Sequence, residues 1–174
     1  MEDEALEFAS RAHDGQMRKY SDEAYIEHPK RVAGIVKTVP HTSEMICAAY
    51  LHDVVEDTAI EIEEIREQFG DKVAALVAEL TDEYMKQNYP HLNRKARKQK
   101  EVERQAGMSR EAKTIKLADV IDNTMDIVKN DTGFARKYLK EMEALTQVLS
   151  DGDNTLYARA SKEVAEGKRR LNIK

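Results

Sequence analysis

Residues that interrupt helices are scarce in this chain, and that scarcity constrains the fold more than any other feature. Seven glycines and three prolines are spread over 174 residues. Between them, apolar residues recur at spacings of three to four, the period of an amphipathic helix. No stretch alternates apolar and polar residues as a half-buried strand does. The pattern predicts an all-α fold of about eight or nine helices.

Capping residues and glycines divide the pattern into individual helices. We expect a first helix to end near His13 and a second to open after Pro29. Thr42 or Ser43 can cap the third, because a hydroxyl at this position accepts a hydrogen bond from the first turn. The other predicted boundaries are Gly70, ending a short acidic helix, Asp71, beginning the next, a basic helix over 92–106, and a helix from Ser109 to about 129. Two more helices follow, broken near "SDGDN".

The length suits one domain with a sizeable core. A hydrophobic content of 41% argues against disorder, although 35% of the residues are charged. The chain contains neither an internal repeat nor a low-complexity linker. We therefore predict a single domain over residues 1–174, with the conspicuous polar segments within 5–128 and helices over 133–172 that close the core.

Charge and cysteine content exclude several classes of protein. The net charge of −5 gives no overall basicity for nucleic-acid binding. The basic run "NRKARKQK" lacks interleaved aromatic residues, so we interpret it mainly as a solvated helix face. The single cysteine, Cys47, cannot form an internal disulfide. The acidic N-terminus has no apolar signal core and no run reaches membrane-spanning length, so we expect a cytoplasmic protein without a membrane or nucleic-acid partner.

The stretch "LHDVVEDT", residues 51–58, places four reactive side chains in an apolar run. On a helix with His52 at 0°, Glu56 falls at about 40°, Asp53 at about 100° and Asp57 at about 140°. The leucine and valines fall on the opposite side. Burying several carboxylates together is costly unless a cation compensates them. The segment therefore indicates a cation site that needs further ligands.

Two other positions could supply those ligands. His28, in "YIEHP", precedes a proline at a helix start, and Asp119, in "KLADVIDN", lies among apolar residues of a later helix. Lys116 and Asn123 lie within about 60° of Asp119 around that helix. A buried acid paired with Lys116 is the structural alternative for Asp119. Two imidazoles and two carboxylates suit manganese, iron, zinc or another first-row divalent ion.

These residues resemble the H…HD…D metal pattern of the HD phosphohydrolase superfamily. The segments "AHDGQMRKYSDEAYIEHP", "AAYLHDVVEDT" and "KLADVIDN" look like the hydrolase domain of RelA/SpoT-type enzymes, including the stand-alone small alarmone hydrolases. The likeness covers roughly residues 5–128. It is most specific in "HDVVEDT", because many other HD enzymes lack the paired Glu-Asp.

The resemblance implies an HD-type helical bundle, a reaction and a set of roles. The family removes the 3′-pyrophosphate from ppGpp and pppGpp, typically with one manganese ion. The implied roles are metal ligation by His28, His52, Asp53 and Asp119, handling of the attacking water by Glu56 and Asp57, and contact with the nucleotide by Arg18, Lys19 and Asn123.

Chemistry independently favours these roles. A divalent ion acidifies water, and manganese does so less strongly than zinc, so a nearby carboxylate base would assist. The leaving pyrophosphate and the nucleotide both need cations. Lys116, Arg94 and Lys95 are further candidates for that task, and arginine offers a bidentate grip.

Two departures from the family pattern keep other functions open. Ala24 stands where the family usually has proline, and Asp122 where it commonly has an aromatic residue or histidine. Both favour an HD phosphohydrolase acting on another nucleotide. A non-catalytic nucleotide-binding module is the second alternative, against which the complete set of reactive groups argues. A two-metal HD phosphodiesterase is disfavoured, because this sequence has no extra histidines placed to build a second ion site. The chain is also too short to add the synthetase domain of the long bifunctional enzymes.

Overall fold

The computed structural model describes residues 1–19 and 21–173, and helices are the regular structure of this part of the chain. An isolated antiparallel bridge joins Met17 and Ala24. The helices are α1 (Glu2–Ala12), α2 (Glu27–Val36), α3 (Ser43–Leu51), α4 (Val54–Asp57), α5 (Ile62–Phe69), α6 (Asp71–Leu80), α7 (Arg94–Ala106), α8 (Arg110–Asn130), α9 (Thr132–Val148) and α10 (Asn154–Arg170). The prediction of an all-helical fold is confirmed.

Local signals define several of these boundaries. The Thr42 hydroxyl accepts a hydrogen bond from the Met45 amide at 3.3 Å, and Ser109 accepts one from Ala112 at 3.2 Å. Gly70 turns the chain between α5 and α6 with a φ of 85°, a left-handed conformation that glycine adopts without steric cost. These boundaries coincide with the predicted ones because capping depends on residues close together in the sequence.

Helix α2 begins at Glu27, before the predicted start at Pro29. Backbone amides in the first turn of a helix have no intrahelical acceptor, so the missing N–H of a proline costs little there. The earlier start places His28 inside the first turn of α2, where it is buried.

The third predicted helix, expected to continue from its cap at Thr42 or Ser43 through "LHDVVEDT", is interrupted, and the prediction of one continuous helix is wrong. Helix α3 ends at Leu51, residues His52 and Asp53 form a turn, and the single-turn helix α4 begins at Val54. Asp53 has a φ of −99° and a ψ of −5°, which ends the regular helical path. The division also adds one helix to the expected number.

Helix α8 occupies the centre of the fold. It contacts α2, α3, α6, α9 and α10. Because neighbours surround it, even its polar residues Asp119 and Asp122 are buried, each with 6% of its surface exposed. The other helix pairs do not involve α8: α1, α2 and α6 pack on α3, α5 packs on α6, and α7 and α10 pack on α9.

Among residues 1–19 and 21–173, no helix has both the length and the apolar character needed to cross a membrane.

Candidate metal centre

Three segments bring the four predicted ligands together. His28 comes from the first turn of α2, His52 and Asp53 from the turn between α3 and α4, and Asp119 from the middle of α8. His28 Nε2 lies 3.2 Å from Asp119 Oδ1 and 3.6 Å from Asp53 Oδ2. His52 Nε2 lies 3.1 Å from Asp53 Oδ2 and 3.8 Å from Asp119 Oδ1. Two imidazole nitrogens and two carboxylates therefore converge on one small volume.

Hydrogen bonds behind the two imidazoles set their orientation. His52 Nδ1 lies 2.8 Å from the carbonyl oxygen of Ala49, which can only accept, so Nδ1 donates. His28 Nδ1 lies 2.7 Å from Asp122 Oδ2 and donates to it in the same way. In a neutral imidazole this leaves the Nε2 lone pair as the free acceptor, directed at the centre.

The donor set fits a divalent cation. His52 Nε2 is buried without a hydrogen-bond partner, although Asp53 is close, because the contact lacks hydrogen-bond geometry. Buried polar atoms are rarely left in that condition without a reason. His28, His52 and Asp119 offer ligand atoms that all lie within 4.8 Å of one another. This group could bind a metal ion, and a bound ion would satisfy the unpartnered nitrogen.

The charges in the centre perturb one another strongly. Burial alone would lower the pKa of His52, but the Asp53 carboxylate raises it to about 9. Burial would raise the pKa of Asp53, but the His52 imidazole lowers it. Burial would likewise raise the pKa of Asp119, and Lys116 holds it well below its usual range. Both carboxylates are therefore ionised and attract positive charge.

Asp119 is shared between the centre and neighbours on its own helix. Lys116 Nζ lies 2.9 Å from Asp119 Oδ2, and Asn123 Nδ2 donates to Asp119 Oδ1 at 2.5 Å. The pairing with Lys116 that the sequence offered as an alternative is thus present together with the approach to the histidines. The two interpretations are compatible because a carboxylate has two oxygens.

Glu56 and Asp57 lie on α4, directly after the ligand-bearing turn. Glu56 Oε2 accepts a hydrogen bond from the Asp82 amide at 3.1 Å. Burial, together with the Asp82 and Asp53 carboxylates, raises the pKa of Glu56 to about 7. Burial and Asp53 also raise the pKa of Asp57. Glu56 can therefore exchange a proton near neutral pH.

Tyr25, which the sequence placed beside the site loop and favoured as a packing residue, contacts the site directly. Its hydroxyl lies 2.6 Å from Asp53 Oδ2 and 2.9 Å from Asp57 Oδ2, and it can donate its single proton to either. It therefore ties the ligand-bearing turn to α4. Nothing in the local pattern distinguishes this tyrosine from a packing residue, because its partners come from a segment about 30 residues away.

A cavity of about 160 Å³ opens beside Asp119. Its polar lining includes Lys116, Asn123, Asp82 and Lys98, and Lys98 Nζ lies 3.0 Å from Asp82 Oδ2. Lys95, the lysine singled out from the sequence, is exposed on α7 and does not line this cavity. The two lysines are one helical turn apart, so only the docking of α7 determines which one faces the cavity.

The other predicted cations lie around the loop between α1 and α2. Arg18 is buried and donates from Nη2 to Asn123 Oδ1 at 2.9 Å and to Asp126 Oδ2 at 2.7 Å. Lys19 is exposed, and its ammonium lies 5.8 Å from the centre of the Phe134 ring. Arg94 Nε and Nη2 donate to Glu141 Oε1 and Oε2, each at 2.8 Å. The Arg94 guanidinium carbon lies 5.4 Å from the centre of the same Phe134 ring.

The structure shows the surroundings of both departures from the family pattern. Ala24 is exposed within a short closed loop, where the Tyr25 amide donates to the Gln16 carbonyl at 2.9 Å. Asp122 turns toward α2, where it accepts hydrogen bonds from His28 and Arg31. The Asp122 carboxylate is therefore bonded to His28 and Arg31 and does not interrupt the contact between Arg18 and Asn123.

Comparison with known proteins defines the class to which this fold and site belong. The HD domain family model matches residues 5–149, and the chain belongs to the HD-domain family. It is 35% identical over 170 residues to "Guanosine-3′,5′-bis(diphosphate) 3′-pyrophosphohydrolase MESH1" of Mus musculus, which covers 94% of this chain and 92% of that protein. It is 36% identical over 138 residues to the protein of the same name from Drosophila melanogaster, covering 77% and 74% of the two chains.

A solved structure gives the same result at the level of the fold. It is described as a metazoan orthologue of SpoT that hydrolyses ppGpp and plays a role in starvation responses. The match has a TM-score of 0.82 and 30% identity, and it covers 99% of this chain and 96% of that chain. The resemblance drawn from the sequence is confirmed.

Proposed function

We propose that this chain is a metal-dependent guanosine-3′,5′-bis(diphosphate) 3′-pyrophosphohydrolase. It converts ppGpp to GDP and pyrophosphate, and pppGpp to GTP and pyrophosphate. The observation that carries this proposal is the cluster of two imidazoles and two carboxylates beside a cavity whose lining includes Lys98 and Lys116. Relatives that are named for this activity match most of the length of this chain.

The proposed ligands of one divalent ion are His28, His52, Asp53 and Asp119, and the proposed ion is Mn²⁺. The buried, unpartnered His52 Nε2 supports this assignment, and so does the mixed nitrogen and oxygen donor set. When bound, the ion would supply Lewis acidity toward a phosphoryl oxygen and lower the pKa of water.

Glu56 is the proposed general base. Catalysis by proton transfer is most effective when the pKa of the base lies near the working pH, and that of Glu56 is raised to about 7. Asp57 is proposed to orient the attacking water, held in place by the Tyr25 hydroxyl at 2.9 Å. The Asp82 amide, bonded to Glu56, keeps the base carboxylate in a fixed orientation.

The proposed phosphate-binding groups are Arg18, Lys19, Lys95, Lys116 and Asn123. We add Lys98, because it lines the cavity beside Asp119 together with Lys116 and Asn123. The leaving pyrophosphate carries several negative charges, and cations held within a low-dielectric cavity stabilise such charge more than they would in water.

The products of ppGpp cleavage test this function. Protein loaded with Mn²⁺ should release pyrophosphate and GDP from ppGpp and leave the 5′-diphosphate intact. Release of orthophosphate would show attack at the outer bond and contradict the proposed cleavage site. A panel containing GTP, other 3′-phosphorylated nucleotides and a dinucleotide phosphate serves as the control. Cleavage of one of these with ppGpp untouched would refute the alarmone assignment, and no cleavage of any would indicate a binding module.

A further inference from the structure

A line of charged side chains runs from the protein surface to the back of His28. Asp122 is buried with both oxygens engaged: Oδ2 accepts from His28 Nδ1 at 2.7 Å and Oδ1 accepts from Arg31 Nε at 2.6 Å. Arg31 Nη1 in turn donates to both carboxylate oxygens of Glu23, each at 2.9 Å. Glu23, Arg31 and Asp122 thus form a continuous chain of hydrogen bonds that ends on a candidate metal ligand.

The elements that carry this chain make it rigid. His28 and Arg31 are one turn apart on α2, so they face Asp122 on α8 together. The guanidinium holds one carboxylate oxygen, which leaves the other aligned with the imidazole. Glu23, from the loop before α2, holds the guanidinium from its far side. Charge-assisted hydrogen bonds of this kind are stronger than neutral ones.

We propose that Asp122, held by Arg31 and Glu23, is a positioning residue that fixes the ring and tautomer of His28 and so raises the affinity of the centre for its divalent ion. A carboxylate bonded to Nδ1 keeps the proton there and leaves Nε2 unprotonated for a metal. The inference rests on the proposed function, in which His28 is a ligand. His52 differs, because its Nδ1 donates to a neutral acceptor, the carbonyl oxygen of Ala49, and not to a carboxylate.

This role also explains why an acid is tolerated at position 122, next to Asn123 in the proposed substrate site. The charge of Asp122 is directed to the α2 side of α8, toward His28 and Arg31. Asp122 therefore contacts the metal centre, whereas its neighbour Asn123 contacts Arg18.

Affinity for Mn²⁺ tests the proposal without any substrate. Free Mn²⁺ has a strong electron paramagnetic resonance signal, so a titration of the protein with the metal alone yields Kd. In Asp122→Asn, the single amide oxygen cannot accept from both Arg31 Nε and His28 Nδ1; with the oxygen on Arg31, the NH₂ faces His28 Nδ1 and favours the tautomer protonated at Nε2. The Kd for Mn²⁺ should rise about 10- to 100-fold, the range found when the hydrogen-bond partner of a metal-bound histidine is removed.

Asp126→Asn is the matched control. Asp126 lies one turn further along α8 and also accepts from an arginine, Arg18, but it bonds to neither histidine. Its substitution should leave the Kd for Mn²⁺ unchanged, whatever it does to substrate binding. An equal rise in Kd for Asp126→Asn and Asp122→Asn would show a general charge effect and overturn the proposal.

The tautomer of His28 provides a second readout. In metal-free protein labelled with ¹⁵N-histidine, at a pH high enough for the ring to be neutral, long-range ¹H–¹⁵N spectra should show His28 protonated at Nδ1, and Asp122→Asn should shift the proton toward Nε2. If Asp122→Asn does not fold, Arg31→Met decides, because it removes the clamp from a half-exposed side chain and should also raise the Kd.

An unchanged Kd in the folded variants would overturn the proposal. Failure of the unmodified protein to cleave ppGpp, with Kd still dependent on Asp122, would instead refute the proposed function and leave this inference standing.

Discussion

At the scale of single residues, the metal centre shifts the pKa values of two neighbouring carboxyl groups in opposite directions. Asp53 and Glu56 are three positions apart in "HDVVED". The His52 imidazole lowers the pKa of Asp53 against the effect of burial, whereas burial with Asp82 and Asp53 nearby raises the pKa of Glu56 to about 7. Groups whose surroundings move their pKa values apart are suited to different roles. Asp53 is suited to hold a cation, and Glu56 to take a proton.

Glu56→Gln tests that division. The amide keeps the size of the side chain but cannot accept a proton from water, so kcat should fall by ~10²-fold or more while Mn²⁺ content is retained. Steady-state kinetics and metal analysis of the same preparation measure both quantities. Glu67→Gln, on the exposed face of α5, should change neither. Loss of metal together with activity would make Glu56 a ligand and contradict its assignment as the base.

At the scale of helices, close approach to the central helix limits which residues are acceptable. Gly167 lies within α10, which packs against α8 and α9. A Cβ atom there would lie 3.0 Å from Leu139 Cδ2 and 3.1 Å from Val128 Cγ2. Gly34, within α2, has nothing within 4 Å of the corresponding position. Gly167 is thus needed for close packing, whereas Gly34 only adds to the backbone entropy lost on folding.

Two alanine substitutions should therefore have opposite effects on stability. Gly34→Ala should raise the free energy of unfolding by up to about 1 kcal/mol, because alanine is the better helix former. Gly167→Ala should lower it by about 1–3 kcal/mol, the usual cost of overpacking. Urea denaturation of the two variants beside the unmodified protein measures the difference. Equal stabilisation by both would contradict the close packing of α10 on α8.

At the scale of the whole molecule, the proposed ligands join segments that are distant along the chain. They come from α2, from the turn after α3 and from α8, the helix at the centre of the fold. A ligand that binds the folded state and not the unfolded state stabilises the fold by mass action. Metal binding at this centre should therefore be visible as global stability.

Thermal unfolding with and without metal tests this link. A free Mn²⁺ concentration of 100 times Kd should add about 2.7 kcal/mol, and a chelator should remove it. The Tm of the unmodified protein should rise with Mn²⁺, whereas that of His52→Ala should not. His41→Ala removes an exposed histidine outside the centre and should behave as the unmodified protein does. An equal rise in Tm for His52→Ala would refute the ligand assignment.

The helical class, most helix boundaries and the candidate ligands could be predicted from the sequence. These predictions rest on local features: the spacing of apolar residues, the caps at Thr42 and Ser109, and the turn at Gly70. Local features can be recognised in the sequence before the fold is known. Histidines and acids within apolar segments are equally conspicuous, because burial of such groups requires compensation. The family resemblance added the reaction that these residues imply.

Which side chains of the site come into contact depends on the tertiary structure. The break at Asp53, the bridge from Tyr25, and the turn of Asp122 toward Arg31 depend on contacts between segments that are 28 to 94 residues apart. The choice between Lys95 and Lys98 depends on how α7 docks. Hydrogen bonds and charges act over a few ångströms in space and carry no signature in sequence spacing, so only the packed arrangement of the helices could reveal them.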